Sequence, residues 1–165
     1  VAILTISDAG FRGERADGSG DAIAGWVGVR GHALVTRAVV PDETLPIVQA
    51  LMEWSDGGHV DVIITTGGTG LTPRDVTPEA TRVVLEREAP GIAEAIRFEA
   101  LGRFPRAALS RGAAGVRGQT LIVNLPGSPG GVKDGLDVLD RWIGHAVDLV
   151  RDDHTDHPSP VPPAS

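Results

Sequence analysis

Cysteine is absent from the 165-residue sequence. Disulfides, thiolate metal sites and cysteine nucleophiles are thereby excluded, and a cytoplasmic location is the default expectation. Long apolar runs are missing too. None approaches bilayer-spanning length and no signal-peptide pattern opens the chain, so no membrane partner is expected. Basic charge is scarce, with 15 lysines and arginines against 22 aspartates and glutamates and a formal net charge of −7. A nucleic-acid surface needs the opposite balance, so nucleic acid is not expected as a partner. An anionic small substrate is compatible if its site gathers local cations or a metal. Lysine itself is nearly missing: Lys133 stands alone among arginines. There are no internal repeats. No initiator Met is present and the chain opens inside an apparent strand, so a residue or two is expected ahead of Val1.

What is present reads as one domain. A hydrophobic fraction of 41% and a charged fraction of 22% suit a globular chain long enough to bury a core. That domain is assigned to residues 1–151. The remainder, 152–165 (DDHTDHPSPVPPAS), has four prolines and no core-forming pattern, and is expected to be an extended or disordered tail. His154 and His157 within it could bind a metal but are not expected to form a designed site, and His32, His59 and His145 lack ligand spacing.

Val1–Ile6 is an apolar run interrupted only by Thr5, expected as a central strand, and residues 33–40 alternate in the manner of a strand nearer an edge. Ser19 is placed to cap a helix from Gly20 to about Arg30, with Ile23, Trp26 and Val27 inward. Asp42 is placed to cap the next helix, in which Ile47, Leu51 and Trp54 recur at helical spacing. Thr77 and Pro78 open a helix expected to reach Glu88, and another follows from Pro90 to Leu101. Residues 107–118 read as a short strand and loop, and Thr120–Asn124 as the last clear strand. A helix of about 20 residues then carries the stripe Val132, Leu136, Leu139, Ile143, Val147 and Val150. Strands alternating with helices give an α/β fold, a three-layer α/β/α sandwich with a mostly parallel sheet.

The chain is organised around VDVIITTGGTGLTPRDVTPEA, residues 60–80. Its β-branched opening is that of a strand buried on both faces. The strand runs into Gly67, Gly68, Thr69 and Gly70, where three glycines allow positive φ and a close approach to the backbone. Successive free N–H groups in such a turn form an anion-binding concavity. A tight turn with a local Arg74–Asp75 salt bridge fits this stretch equally well when it is taken alone. Neither the Gly-Lys-Ser/Thr nor the GxGxxG nucleotide signature is present.

Loops at the carboxyl ends of parallel strands gather along one edge of the sheet. That edge should collect Ser7 and Asp8, Asp42, the GGTG turn with Asp75, and the loop Asn124, Leu125, Pro126, Gly127, Ser128 and Pro129. Thr69 and Ser110 can donate hydroxyl hydrogen bonds to phosphate oxygens, and Arg74, Arg111 and Arg117 are candidate charge-assisted donors. Two carboxylates beside a phosphate are a liability unless a hard divalent cation lies between them, and Mg²⁺ is held in this way.

Four motifs in register, VVPDE around Asp42, TTGGTGLTPRDVTPEAT, LSRGAAGVRG and NLPGSP, make the chain resemble the molybdopterin adenylyltransferase (Mog-type) family of molybdenum cofactor biosynthesis. The match runs from roughly Val1 to Val150 and extends to the gephyrin amino-terminal domain and the corresponding plant cofactor-synthesis domain. The resemblance implies a homotrimer that takes molybdopterin and Mg-ATP to adenylyl-molybdopterin and pyrophosphate and hands the product to the molybdate-inserting enzyme. It implies Asp42 and Asp75 as the catalytic and Mg²⁺-holding acidic pair. Nucleotide phosphates fall to Gly67, Gly68, Thr69, Gly70, Ser7, Asp8, Asn124, Pro126, Gly127 and Ser128, and molybdopterin to Thr69, Ser110, Arg111 and Arg74. Ala100 stands where some eukaryotic relatives have a serine near the pterin site. A family member that binds molybdopterin without this activity, or a trimeric assembly module, is the alternative.

Overall fold

The computed structural model describes residues 1–152; the tail expected beyond them, with His154 and His157, lies outside the described residues. The apolar run at the start forms strand β1 (Ala2–Ile6), every residue of which is buried. The elements that follow are α1 (Asp8–Phe11), α2 (Gly18–Val29), β2 (Thr36–Val40), α3 (Thr44–Asp56), β3 (Val62–Thr66) and α4 (Thr77–Val84). Then come β4 (Arg87–Glu88), α5 (Pro90–Leu101), a 3-10 turn (Pro105–Leu109), β5 (Ala114–Arg117), β6 (Thr120–Leu125), α6 (Pro129–Leu139) and α7 (Ile143–Val150).

These strands form one six-stranded sheet in the order β2-β1-β3-β6-β5-β4. The first four are parallel, while β5 runs antiparallel to β6 and β4 antiparallel to β5. Because side chains alternate across a strand, the parallel strands β1, β3 and β6 each feed two cores. Ile3, Val62, Ile64, Leu121 and Val123 pack with Ile23 and Val27 of α2, Ile96 of α5, and Val132, Leu136 and Leu139 of α6. Ala2, Leu4, Ile6, Ile63 and Ile122 pack on the other face with Ile47 and Leu51 of α3 and Ala80 and Val84 of α4. The result is the expected three-layer sandwich, with β2 on an edge.

Several local boundaries differ from the sequence reading. Asp17, not Ser19, caps α2: its carboxylate accepts from Gly20 N at 2.9 Å, and also from Thr5 Oγ1 and Arg37 Nη2. Ser19 lies inside the helix and donates to Gly127 O instead. Thr77 is the first residue of α4 rather than its cap, and its hydroxyl donates to Gly67 O at 2.9 Å. That helix stops at Val84, because Leu85 is extended and Glu86 N donates to Val116 O, drawing Arg87 and Glu88 onto the sheet as β4. The long last helix is two helices. Asp140, at the end of α6, is bound by Trp26 Nε1 of α2 and by the guanidinium of Arg30 just beyond it, and Trp142 leaves helical geometry with φ −155°. The apolar stripe continues past this break, so periodicity alone does not reveal it. Among the described residues no helix is long and apolar enough to cross a membrane.

Candidate active site

Strand direction decides what reaches the site. The carboxyl ends of β1, β2, β3 and β6 lie on one edge of the sheet, and Ser7, Asp42, Gly67 and Pro126 follow them within two residues. Antiparallel β5 brings its amino end to that same edge, Ala114 pairing with Val123, so the preceding segment Ser110–Ala113 joins the site. By the same reversal Arg117 pairs with Thr120 at the opposite edge. There it binds Asp56 and Val84 O, so it is not brought to the site with the other candidate cations.

The GGTG turn is held by contacts that only glycine permits. Gly67 has φ +97°, and a Cβ there would lie 2.2 Å from Ile6 O. Gly68 has φ +62°, and a Cβ would lie 2.3 Å from Thr77 Oγ1. Gly127 of the second loop packs against the same turn, where a Cβ would lie 3.1 Å from the Gly67 Cα. Side chains at these positions would push β1, β3 and α4 apart.

The two carboxylates flank this turn in different states. Asp42 does not cap α3, whose preceding residue is Glu43 and which has no side-chain cap. Its Oδ2 accepts from Asp8 N at 2.7 Å, while its own N–H donates to Asp8 Oδ1 at 3.0 Å. Oδ1 is left toward the turn, 3.3 Å from where a Gly68 Cβ would be. Burial raises the Asp42 pKa above its ordinary value, and the charges of Asp8 and Asp75 add to that, against the opposing Asp8 N–H and Arg74. Asp75 is the reverse case. Burial alone would raise it, but hydrogen bonds from the Thr72 hydroxyl and N–H and from Gly70, with the Arg111 charge, together hold it below the ordinary value. Thr72 N and Oγ1 donate to Asp75 Oδ2 at 2.8 and 2.7 Å. Arg74 pairs with Asp8, donating from Nη2 at 2.7 and 2.8 Å, and not with its neighbour Asp75.

A half-buried carboxylate with two like charges nearby is a cation-seeking group. Among the described residues no three His, Cys, Asp or Glu side chains converge on one point, so the protein offers two carboxylates and no closed cage. That donor set fits Mg²⁺, which completes its shell with water and substrate phosphate. Asp42 and Asp75 are the residues that could hold it.

Two cavities meet at the turn. The larger, about 670 Å³, is bounded by Thr69, Gly70 and Asp75, by the apolar Ala93, Ile96 and Ala100 of α5, and by Phe104, Leu109 and Ser110. The smaller, about 320 Å³, is more polar and is lined by Ser7, Arg15, Ser19, Asp42, Thr66 and Gly67. Gly127 borders both. Ser7, Ser110 and Ser128 accept backbone N–H bonds, from Gly10 at 3.1 Å, Gly112 at 3.4 Å and Gly131 at 3.2 Å. A hydroxyl used as an acceptor keeps its proton for donation to a ligand. Arg97 and Arg106, which no motif marked, also line the larger cavity. Their signal was topological: α5 follows β4 and the 3-10 turn leads into the Ser110 segment, so both line the cavity without carrying a motif.

Asn124 faces the larger cavity, yet its side chain is fully engaged within the protein. Oδ1 accepts from Ala113 N at 3.0 Å, and Nδ2 donates to the hydroxyls of Thr65 and Thr81, each at 2.9 Å. Asn124→Ala would leave a buried N–H and two buried hydroxyls without a partner. It is expected to cost about 1–3 kcal/mol or more in denaturant unfolding, since that is the penalty per orphaned polar group.

Known proteins resemble this chain in sequence and in fold. The family model described as a probable molybdopterin binding domain matches residues 2–143. The molybdopterin adenylyltransferase of Helicobacter pylori (strain J99) is 37% identical over 155 residues, covering 91% of this chain and 86% of that protein. The molybdenum cofactor synthesis protein cinnamon of Drosophila melanogaster is 44% identical over 152 residues, covering 92% of this chain but 25% of its own length. The chain thus spans about a quarter of that relative. The crystal structure of the molybdopterin biosynthesis enzyme MoaB from Thermus thermophilus superposes with a TM-score of 0.86 at 50% identity, covering 92% of this chain and 95% of that one. The matched residues run from β1 to the start of α7 and so include every loop of the site: the chain belongs to the molybdopterin-binding-domain family of molybdenum cofactor biosynthesis.

Proposed function

We propose that this chain transfers AMP from Mg-ATP to the terminal phosphate of molybdopterin. The observation that carries the reading is the pair of cavities meeting across the GGTG turn with Asp42 bordering one and Asp75 the other. A phosphate oxygen of molybdopterin attacks the α-phosphorus of ATP. The new P–O bond forms as the bond from the α-phosphorus to the α–β bridging oxygen breaks, and pyrophosphate leaves with the electron pair. The nucleophile is already an anion, so no general base is required, and the lack of a histidine lining either cavity among the described residues does not count against the reaction.

What opposes the step is repulsion between two phosphate groups. Mg²⁺ held by Asp42, Asp75 and substrate oxygens would neutralise that charge. The N–H groups of the glycine turn and the Ser7 and Ser128 hydroxyls suit the nucleotide's phosphates, which enter from the smaller, polar cavity. The apolar wall of Ala93, Ile96, Ala100 and Phe104 suits the pterin, with Thr69, Ser110, Arg97 and Arg106 for its phosphate. Ala100 lies in that wall, so a serine hydroxyl contact there is replaced by apolar packing. Asp8 acts by holding Asp42 and Arg74. A homotrimer, a cytoplasmic setting and handover to the molybdate-inserting enzyme belong to the same family reading.

The direct test is pyrophosphate release from ATP that depends on added molybdopterin; no release from folded protein supplied with both substrates rejects the proposal. Ser110→Ala separates the two cavities. It removes a hydrogen bond to a charged group, roughly 1.5–3 kcal/mol, so molybdopterin affinity should fall by about ten- to a hundredfold. Mg-ATP titrations should be unchanged. A loss confined to ATP would reverse the assignment of the cavities.

A further inference from the structure

We infer that Arg111 is a positioning residue, one that holds the Asp75 loop in register with the Ser110 loop and does not bind substrate phosphate. The inference rests on the adenylyl-transfer reading for its kinetic consequence, but its structural claim is independent of that reading.

Arg111 leaves the Ser110 segment and reaches the loop of residues 69–75 at three places and α4 at a fourth. Its backbone N–H donates to Thr69 O at 2.8 Å and its Nε to Gly70 O at 2.7 Å. Nη2 donates to Asp75 O and Nη1 pairs with Glu79 of α4. The planar fork therefore spans Gly70 to Asp75, the stretch whose ends set the carboxylate against the turn. Both residues flanking Arg111 are held from the other side, since Arg97 Nη1 of α5 donates to Ser110 O at 3.3 Å and to Gly112 O at 3.2 Å. A chain of contacts thus runs from the wall of the larger cavity, through Arg111, to Asp75. Three of the five guanidinium N–H donors are committed to Gly70 O, Asp75 O and Glu79, so a phosphate could take the whole fork only by displacing two partly buried backbone carbonyls, which would then lack a donor. Lysine at this position offers a single point of donation and cannot span both carbonyls in one plane.

The test compares Arg111→Lys with Arg117→Lys. Arg117 makes a similar set of bonds, to Asp56 and Val84 O, at the opposite edge of the sheet, so its replacement controls for the general cost of losing a guanidinium. Arg111→Lys should lower kcat by about 10–100-fold while KM for both substrates stays within about threefold, and Arg117→Lys should leave kcat unchanged. Amide hydrogen exchange supplies the readout that needs no turnover. The Asp75 N–H, which donates to Thr72 O at 3.0 Å, should lose protection about tenfold in Arg111→Lys, with β3 amides unchanged. Glu79→Gln should move exchange at Asp75 in the same direction by a smaller factor. Unchanged Asp75 exchange in both variants overturns the inference, as does a tenfold rise in KM for molybdopterin with kcat preserved. If wild-type protein shows no turnover, the adenylyl-transfer reading fails alone, and the exchange data still decide the role of Arg111.

Discussion

Asp75→Asn is expected to lower kcat for adenylyl transfer by at least about 10²–10³-fold, the loss typical of removing one preorganised electrostatic partner of a transition state. Asparagine preserves an acceptor for Thr72 N and Oγ1, the bonds that shape the loop. It cannot serve as an anionic metal ligand, so the change isolates charge from shape. The stability effect has a defined sign. Hydrogen bonds and Arg111 outweigh burial and hold the folded Asp75 pKa below its ordinary value of 3.8. The ionised group therefore contributes stability above 3.8, and that contribution fades as pH falls through the lower folded value. Asp75→Asn should be somewhat less stable than wild type at neutral pH, with the gap closing in acid. Paired measurements of pyrophosphate release and denaturant unfolding check both halves. Activity within a fewfold of wild type would rule out the metal-ligand role, and a stability loss of several kcal/mol would make Asp75 chiefly a structural brace.

The fold was legible because its cores follow simple rules. The buried runs of β1 and β3 read as parallel strands, and the Ile47–Leu51 spacing as one face of α3. The GGTG turn and its neighbours at strand ends were legible because strand direction gathers them without any need to know side-chain geometry. The remainder depended on facts that a linear reading does not contain. The reversal of β5 keeps Ser110 in the site and sends Arg117 to the far edge, although both lie in one motif. Arg97 and Arg106 reach the larger cavity from α5 and the 3-10 turn, which carry no motif. Hydrogen-bond partners were equally hidden: Asp42 occupies a position where capping is the simplest local use, yet its carboxylate turns to Asp8. Arg74 likewise passes over adjacent Asp75 for a residue 66 positions away in sequence.

That change of partner alters what Asp42→Asn tests. With no cap to lose, the variant should keep the Asp8 N–H bond through its amide oxygen. Burial, and the like charges of Asp8 and Asp75, raise the folded Asp42 pKa above 3.8, so the native state disfavours the ionised form. A raised carboxylate reduces stability as pH climbs from the unfolded value through the folded one, and the penalty persists at neutral pH. Neutral asparagine avoids it. Asp42→Asn should therefore melt at or above the wild-type temperature at pH 7 while its turnover falls by about 10²–10³-fold, as for a lost electrostatic partner. The wild-type rate should also fall on the acid side at a pH above the ordinary aspartate value, because the proton that returns to Asp42 removes the charge a metal needs. A thermal melt and a pH–rate profile measured on the same preparations decide the matter. If Asp42→Asn is as active as wild type, Asp42 is only a bracket for Asp8; if it melts well below wild type, the carboxylate was stabilising the fold and the raised pKa is wrong in sign.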